Sequence, residues 1–103
     1  MTSIFSNIPA EIPKEIFEDI LTTEKFRIER IISKGQTSPA TGWYDQSEDE
    51  WLVVLSGYGV IELFNGDKVT LKQGDYLNIT AHEKHRVIET SPDEVTVWLA
   101  VFY

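Results

Sequence analysis

A chain of 103 residues with 42% hydrophobic and 25% charged residues has the composition of one globular domain with a single core. Its net charge of −8 and nine scattered Lys and Arg residues argue against nucleic acids and anionic membranes as partners, because both require clustered basic surfaces. Cysteine is absent, which excludes disulfides, thiolate chemistry and cysteine-based zinc sites.

The first residues lack the basic start and the uninterrupted apolar core of a signal peptide, because Glu11, Lys14 and Glu15 come too early. No window approaches the eighteen or so apolar residues of a membrane-spanning helix. We therefore expect a cytoplasmic protein.

The first predicted element is a short helix over residues 13–22. Ile16, Phe17, Ile20 and Leu21 fall at helical spacing, and Pro13 suits a first helical turn. We expect this helix to lie against the outside of a sheet or against a partner. Residues 1–25 are accordingly predicted to form an N-terminal extension, and residues 26–103 the main domain.

After Thr23 the apolar pattern becomes that of strands. Residues 26–33 alternate, residues 51–56 are nearly all apolar, and Asn65-Gly66-Asp67 is typical of a tight hairpin turn. Further strands follow up to the last, EVTVWLAVFY. Seven or so short strands separated by Gly, Asn-Gly or Pro turns predict an all-β antiparallel sandwich or barrel.

Both histidines lie in the stretch GDYLNITAHEKHRVIE, residues 74–89. Its spacing, Gly74-x5-Thr80-x-His82-x2-His85-x3-Glu89, resembles the second cupin motif, G-x5-P-x-G-x2-H-x3-N. Gly74 and His85 match that motif, whereas Thr80, His82 and Glu89 replace its Pro, Gly and Asn.

The earlier stretch WYDQSEDEWLVVLSG, residues 43–57, resembles the end of the first cupin motif, H-x-H-x3-4-E-x6-G, through Glu50-x6-Gly57. The two metal-binding histidines of that motif fall on Tyr44 and Gln46, or on Trp43 and Asp45 with the longer spacer. The chain is thus similar to small bacterial cupins that carry a WYDQ-type segment in place of H-x-H.

The resemblance implies a double-stranded β-helix, that is, a jelly-roll barrel, with side chains of both motifs converging at its open end. The strand alternation agrees, since Glu50 shares a face with Leu52, and residues 85, 87 and 89 share another. We expect Gln46, Glu50 and His85 to converge on one cavity with Tyr44 on its wall. The alternative for Glu50 and His85 is a satisfied hydrogen bond in the core.

The candidate roles follow from the chemistry of these side chains. Gln46, Glu50 and His85 are candidate ligands of a weakly held divalent metal such as zinc, nickel, manganese or iron, with no cofactor as the alternative. Tyr44 and Glu50 are candidate proton-transfer groups. Candidate contacts to a small-molecule ligand are Trp43, Tyr44, Tyr76 and Glu89. His82 is expected to lie at the surface, with a metal role as the alternative.

Three functions remain open: a small-molecule enzyme, a metal-free binding module, and a regulatory or assembly subunit with a vestigial site. The fold does not choose between them, because cupins host many unrelated activities. A homodimer is also predicted. Val95, Val97, Leu99 and Val101 are expected to face the interior, which would leave Trp98, Ala100 and Phe102 on an outer face that a second copy covers. The alternative is that the predicted helix of the same chain covers this outer face, which removes the need for a partner.

Overall fold

The computed structural model describes residues 2–39 and 41–103, which fold into two antiparallel sheets. A five-stranded sheet has the order β1-β2-β8-β3-β6, and a three-stranded sheet has the order β5-β4-β7. The strands are β1 (Ile16–Thr22), β2 (Arg27–Ser33), β3 (Glu50–Ser56), β4 (Tyr58–Leu63), β5 (Lys68–Lys72), β6 (Tyr76–Ile79), β7 (His85–Thr90) and β8 (Thr96–Phe102). The all-β prediction is confirmed.

The predicted helix over residues 13–22 is wrong, because this segment forms the edge strand β1, and no helix occurs in the described parts of the chain. A β-bulge between Asp19 and Leu21 explains the misleading pattern. Phe17 pairs with Ile31, on the inner face of the sheet, whereas Leu21 pairs with Ile28, on the outer face. Phe17 and Leu21, four residues apart, therefore lie on opposite faces of a strand and not on one face of a helix.

The core lies between the two sheets. It contains Leu52 and Val54 from β3, Ile61 from β4, and Trp98 and Ala100 from β8, together with neighbouring apolar side chains. The predicted facing of β8 is thus inverted: Trp98, Ala100 and Phe102 point inward, and Leu99 and Val101 are only partly buried on the outside. An apolar run without a polar face does not indicate which of its faces points to the core.

The N-terminal segment covers part of the outer face of the larger sheet. Arg30 points outward, and its guanidinium donates hydrogen bonds to the carbonyl oxygens of Ile4 and Ser6, at 2.9 and 2.7 Å, and to the carboxylate of Glu18. Gln36 holds the same segment through the carbonyl oxygen of Ile12. The outward-facing Arg30 and Ile32 of β2 are therefore buried, and Ile28 is partly buried.

Candidate functional site

Three polar side chains meet at one end of the core, where β3 and β7 begin. Gln46 Nε2 donates a hydrogen bond to Glu50 Oε1 at 2.9 Å, and His85 Nε2 lies 3.6 Å from the same oxygen. Glu50 and His85 are buried, with 7% and 4% of their surfaces exposed. Side chains this polar are rarely buried without partners, and here Glu50 Oε1 is the shared partner of Gln46 and His85.

The loop before β3 is tied to β7 by backbone hydrogen bonds. Tyr44 and His85 exchange two of them, from Tyr44 N to His85 O at 2.8 Å and from His85 N to Tyr44 O at 3.2 Å. The Tyr44 ring then lies 5.6 Å from the imidazole ring, centroid to centroid. This bridge brings Gln46 and His85 to the same Glu50 oxygen, which explains why residues from two distant motifs converge.

A second tie runs through His82, in the turn before β7. Its backbone adopts the left-handed conformation, with φ of 61°, which is uncommon for a residue other than glycine. Its N–H donates to Gln46 O, and its ring Nδ1 lies 2.9 Å from Asp45 Oδ1. His82 is exposed, as expected, and acts on the site by holding the Gln46 loop in place.

His85 has a defined orientation because its two ring nitrogens face different partners. Nδ1 lies 2.9 Å from the carbonyl oxygen of Glu83 and donates to it, which leaves Nε2 facing Glu50. Burial lowers the pKa of His85, but Glu50 and the Glu83 carbonyl together outweigh this effect and raise the pKa above its ordinary value of 6.5. The carboxylate of Glu50 therefore favours the protonated form of the His85 imidazole.

Beside this trio lies a cavity of about 100 Å³ between the sheets. Four aromatic residues line it, namely Phe17, Tyr44, Trp98 and Phe102, together with aliphatic residues. Three carboxylic acids also line it: Glu15, Glu29 and Glu50. The space is several times that of one water molecule, so it can hold a cluster of waters or a small organic molecule.

Two of the lining acids were not predicted. Glu29 points inward from β2 and accepts a hydrogen bond from Arg27 at 2.9 Å, whereas Glu15 accepts one from Ser33 Oγ at 2.8 Å. Burial raises the pKa of each, and the proximity of Glu29 adds to the effect on Glu15. No motif marks either acid. The alternation of β2 is the one signal for Glu29, which the buried outer face made ambiguous, and Glu15 lies before β1 without such a signal.

Trp98, also on the cavity wall, carries the one buried side-chain polar atom without a hydrogen-bond partner in the described residues, Nε1. Its ring packs closely over Gly59, where a Cβ atom would collide with it. An indole N–H is a donor only, and leaving it unpaired when buried costs free energy. The described residues supply no acceptor for this donor.

The other predicted ligand contacts lie away from the cavity. Tyr76 is 67% exposed on the outer face, where its ring stacks on Trp51. Trp43 packs edge-on against Phe64, and the Arg86 guanidinium lies 4.2 Å from the centre of its indole. Their predicted contact with a ligand in this cavity therefore has no geometric support.

Glu89 was predicted to share a face with His85 and Val87, and that prediction is wrong. A β-bulge between β4 and β7 shifts the register, so that Val87 pairs with Ile61 but Glu89 pairs with Val60. Glu89 is exposed and accepts a hydrogen bond from Tyr58 Oη at 2.7 Å. The bulge turns it out of the barrel.

The donor set is poor for a metal ion. In the described residues no group of three or more His, Asp or Glu side chains is arranged to hold one. Glu50 and His85 are suitable ligands, but the Gln46 amide directs its nitrogen, a donor, at the Glu50 oxygen. Zinc sites take three or four protein ligands, so these side chains fit a hydrogen-bonded trio better than a metal centre.

Comparison with known proteins agrees with this fold. The family model of the cupin domain matches residues 29–102. The chain belongs to the cupin family. No helix in the described residues of this cupin is long and apolar enough to cross a membrane.

Solved structures of similar fold include one with high sequence identity. A protein described as a putative mannose-6-phosphate isomerase from Ralstonia eutropha JMP134 is 43% identical, with a TM-score of 0.94 over 99% of this chain and 95% of that one. A cupin superfamily protein from Desulfitobacterium hafniense DCB-2 is 18% identical, with a TM-score of 0.75 over 92% and 82%. A conserved protein of unknown function from Streptococcus pyogenes is 16% identical, with a TM-score of 0.76 over 99% and 84%. The last two show the fold alone. No protein of curated function matches this sequence significantly.

Proposed function

We propose that this cupin binds a small organic molecule in the cavity between its two sheets, without a metal ion. The observation that carries the proposal is the convergence of Gln46, Glu50 and His85, from both cupin motifs, on one cavity. A cavity that combines apolar walls with a few convergent polar groups is the usual form of a small-molecule site.

The unpartnered Trp98 Nε1 supports the same proposal. Trp98 lines the cavity, and a buried indole donor without a partner is a polar group with which a bound ligand can pair. Tyr44 at the cavity wall is 44% exposed, which leaves its phenol accessible to a molecule entering from solvent.

Proton transfer on the bound molecule is the second candidate function. The observation that favours it is the raised pKa of His85 beside Glu50, since a general acid or base works best when its pKa lies near the operating pH. Glu50 and Tyr44 are the other groups that could exchange a proton with the ligand. Incubation with carbonyl probes in D₂O, followed by mass spectrometry for incorporated deuterium, detects this activity directly.

Binding is tested with probes of different charge and with a blocked cavity. Val87 lines the cavity, whereas Val60 on the neighbouring strand pairs with the exposed Glu89. Val87→Phe places a ring in the cavity, and Val60→Phe makes the same change outside it. We expect at least one small amine, alcohol, carboxylate or phosphate to bind the wild type and Val60→Phe, but not Val87→Phe, in ligand-observed NMR.

The alternative is a regulatory or assembly subunit whose barrel site is vestigial. That function predicts that no probe of any charge binds the wild type at millimolar concentration. It also predicts that Val87→Phe is harmless or stabilising, because it fills an idle cavity. Absence of binding by every probe would contradict the proposed ligand site, whereas the stability of Val87→Phe does not decide between the two functions, because filling a functional cavity can stabilise a protein too.

A further inference from the structure

The charges around the cavity are unbalanced. No Lys or Arg is among the described residues that line it, whereas Glu15, Glu29 and Glu50 do line it. Glu29 is compensated by the Arg27 guanidinium at 2.9 Å, and Glu50 by the His85 imidazole at 3.6 Å. Glu15 accepts only the neutral Ser33 hydroxyl and makes no ion pair within the described chain. One carboxylate is thus left without a counter-charge.

The aromatic residues add a second observation, independent of the acids. Phe17, Tyr44, Trp98 and Phe102 line the same cavity, and the faces of such rings attract cations. Phe102 already accepts one, since the Arg27 guanidinium carbon lies 3.9 Å from the centre of its ring. Carboxylates and aromatic faces around a small apolar space are the groups that recognise alkylammonium ions.

We propose that the cavity binds a small organic ammonium ion, with Glu15 as its counter-charge. This inference rests on the proposed function and names the class of ligand. A neutral ligand would leave the Glu15 carboxylate unbalanced in a half-buried position, which is unfavourable. An ammonium ion pairs with it and presents its alkyl groups to the aromatic residues.

The same charges disfavour a phosphorylated ligand. The description of the 43% identical Ralstonia protein refers to mannose 6-phosphate, and phosphate groups are commonly held by Arg, Lys or helix N-termini. Among the described residues that line this cavity, His85 is the one basic side chain, against three carboxylic acids. Like charges in so small a space repel at close range.

The experiment compares three probes by isothermal titration calorimetry or by NMR: tetramethylammonium, tert-butanol, which is similar in size and shape but uncharged, and inorganic phosphate. We expect tetramethylammonium to bind the wild type about tenfold more tightly than tert-butanol, from cation–aromatic and ionic attraction. Phosphate should not bind in the cavity.

Two matched variants locate the charge. Glu15→Gln removes the unbalanced carboxylate, and Glu24→Gln removes one negative charge from an exposed turn outside the cavity. We expect Glu15→Gln to weaken tetramethylammonium binding several-fold and to leave tert-butanol binding unchanged, and Glu24→Gln to change neither. An equal loss in both variants would mean that long-range charge alone attracts the ion, and would overturn the assignment of Glu15.

The outcomes on the wild type decide the inference even if a variant is unstable. Equal affinity for tetramethylammonium and tert-butanol, or phosphate bound in the cavity, would overturn the ammonium ligand but keep the cavity as a binding site. Failure of tetramethylammonium and of primary amines would overturn the ammonium ligand, and failure of the alcohols, carboxylates and phosphate as well would overturn the proposed function.

Discussion

The Nε2 atom of His85 lies 3.6 Å from the Oε1 atom of Glu50, and both side chains are buried. This relationship couples the two cupin motifs. It also makes each residue dependent on the other, because removing one partner of a buried pair leaves an uncompensated charge or donor. The pair therefore contributes to stability as well as to the chemistry of the site.

We expect Glu50→Gln to lower the pKa of His85. The substitution keeps the shape of the side chain but removes the negative charge that favours the imidazolium. Burial, which lowers the pKa, is then less opposed. Titration of the imidazole resonances by NMR measures the effect. Glu48→Gln, which removes a charge paired with Arg27, serves as the control. An unchanged His85 pKa in Glu50→Gln would show that the pair does not interact.

Removal of the Glu50 carboxylate should also destabilise the fold. We expect Glu50→Ala to lower the free energy of unfolding by about 3 kcal/mol or more, since it leaves the buried His85 without its carboxylate partner and removes the hydrogen bond of Gln46. Denaturant unfolding monitored by tryptophan fluorescence measures this. A loss below about 1 kcal/mol would mean that the pair contributes no more to stability than an exposed salt bridge does.

Stability should decrease with rising pH through the neutral range. The folded-state pKa of His85 is raised above 6.5, so the stability it contributes is fully present below that value and is lost as pH rises through the folded pKa. The raised pKa values of Glu15 and Glu29 act in the same direction, from 4.5 upward. We expect the melting temperature to fall between about pH 6 and pH 9. His85→Gln should flatten this slope; an equal slope in that variant would assign it to other groups.

The metal prediction is tested by restoring an imidazole. Gln46→His would add a second histidine next to Glu50 and His85, giving three ligands of types that zinc and nickel favour. We expect the variant to bind zinc or nickel at least tenfold more tightly than the wild type in calorimetry. Gln73→His, at an exposed turn, controls for the added histidine. Tight binding by the wild type itself would contradict the metal-free proposal.

The homodimer remains a prediction, but because the facing of β8 is inverted, its interface is now expected on a different set of residues. The outer face of the five-stranded sheet carries Trp51, Val53, Leu99 and Val101, which pair across β3 and β8 and remain partly exposed. Together with Tyr76 they form a contiguous apolar patch of the kind that marks an interface. We propose that a second copy covers it. Light scattering should give twice the 11.8 kDa chain mass for the wild type and the single mass for Val53→Lys; a monomeric wild type would contradict the dimer.

The sequence predicted most of the strands, because period-2 alternation and Gly-containing turns are local signals. It also predicted the convergence of Gln46, Glu50 and His85, because motif spacing carries positional information. The faces of β2 and β8 could not be assigned, since one outer face is buried by the N-terminal segment and the other strand is apolar on both sides.

Two bulges explain the remaining differences. One gives strand β1 an apolar spacing that resembles that of a helix, and the other places Glu89 outside the barrel. A bulge shifts the alternation by one residue without any required residue type, so the pattern of a single sequence gives little warning of it. Glu15 and Trp98 were missed for a different reason, because tertiary packing brings both to the cavity.

The most direct measurement is a two-dimensional NMR titration that follows the three indole N–H resonances as tetramethylammonium is added. Trp98 lines the cavity with an unpartnered Nε1, whereas Trp43 and Trp51 lie outside it. The proposed site predicts that the Trp98 indole and His85 imidazole signals shift together with a saturable dependence, while the Trp43 and Trp51 signals stay in place. Shifts confined to Trp43 or Trp51, with Trp98 and His85 unmoved, would contradict a ligand site in this cavity.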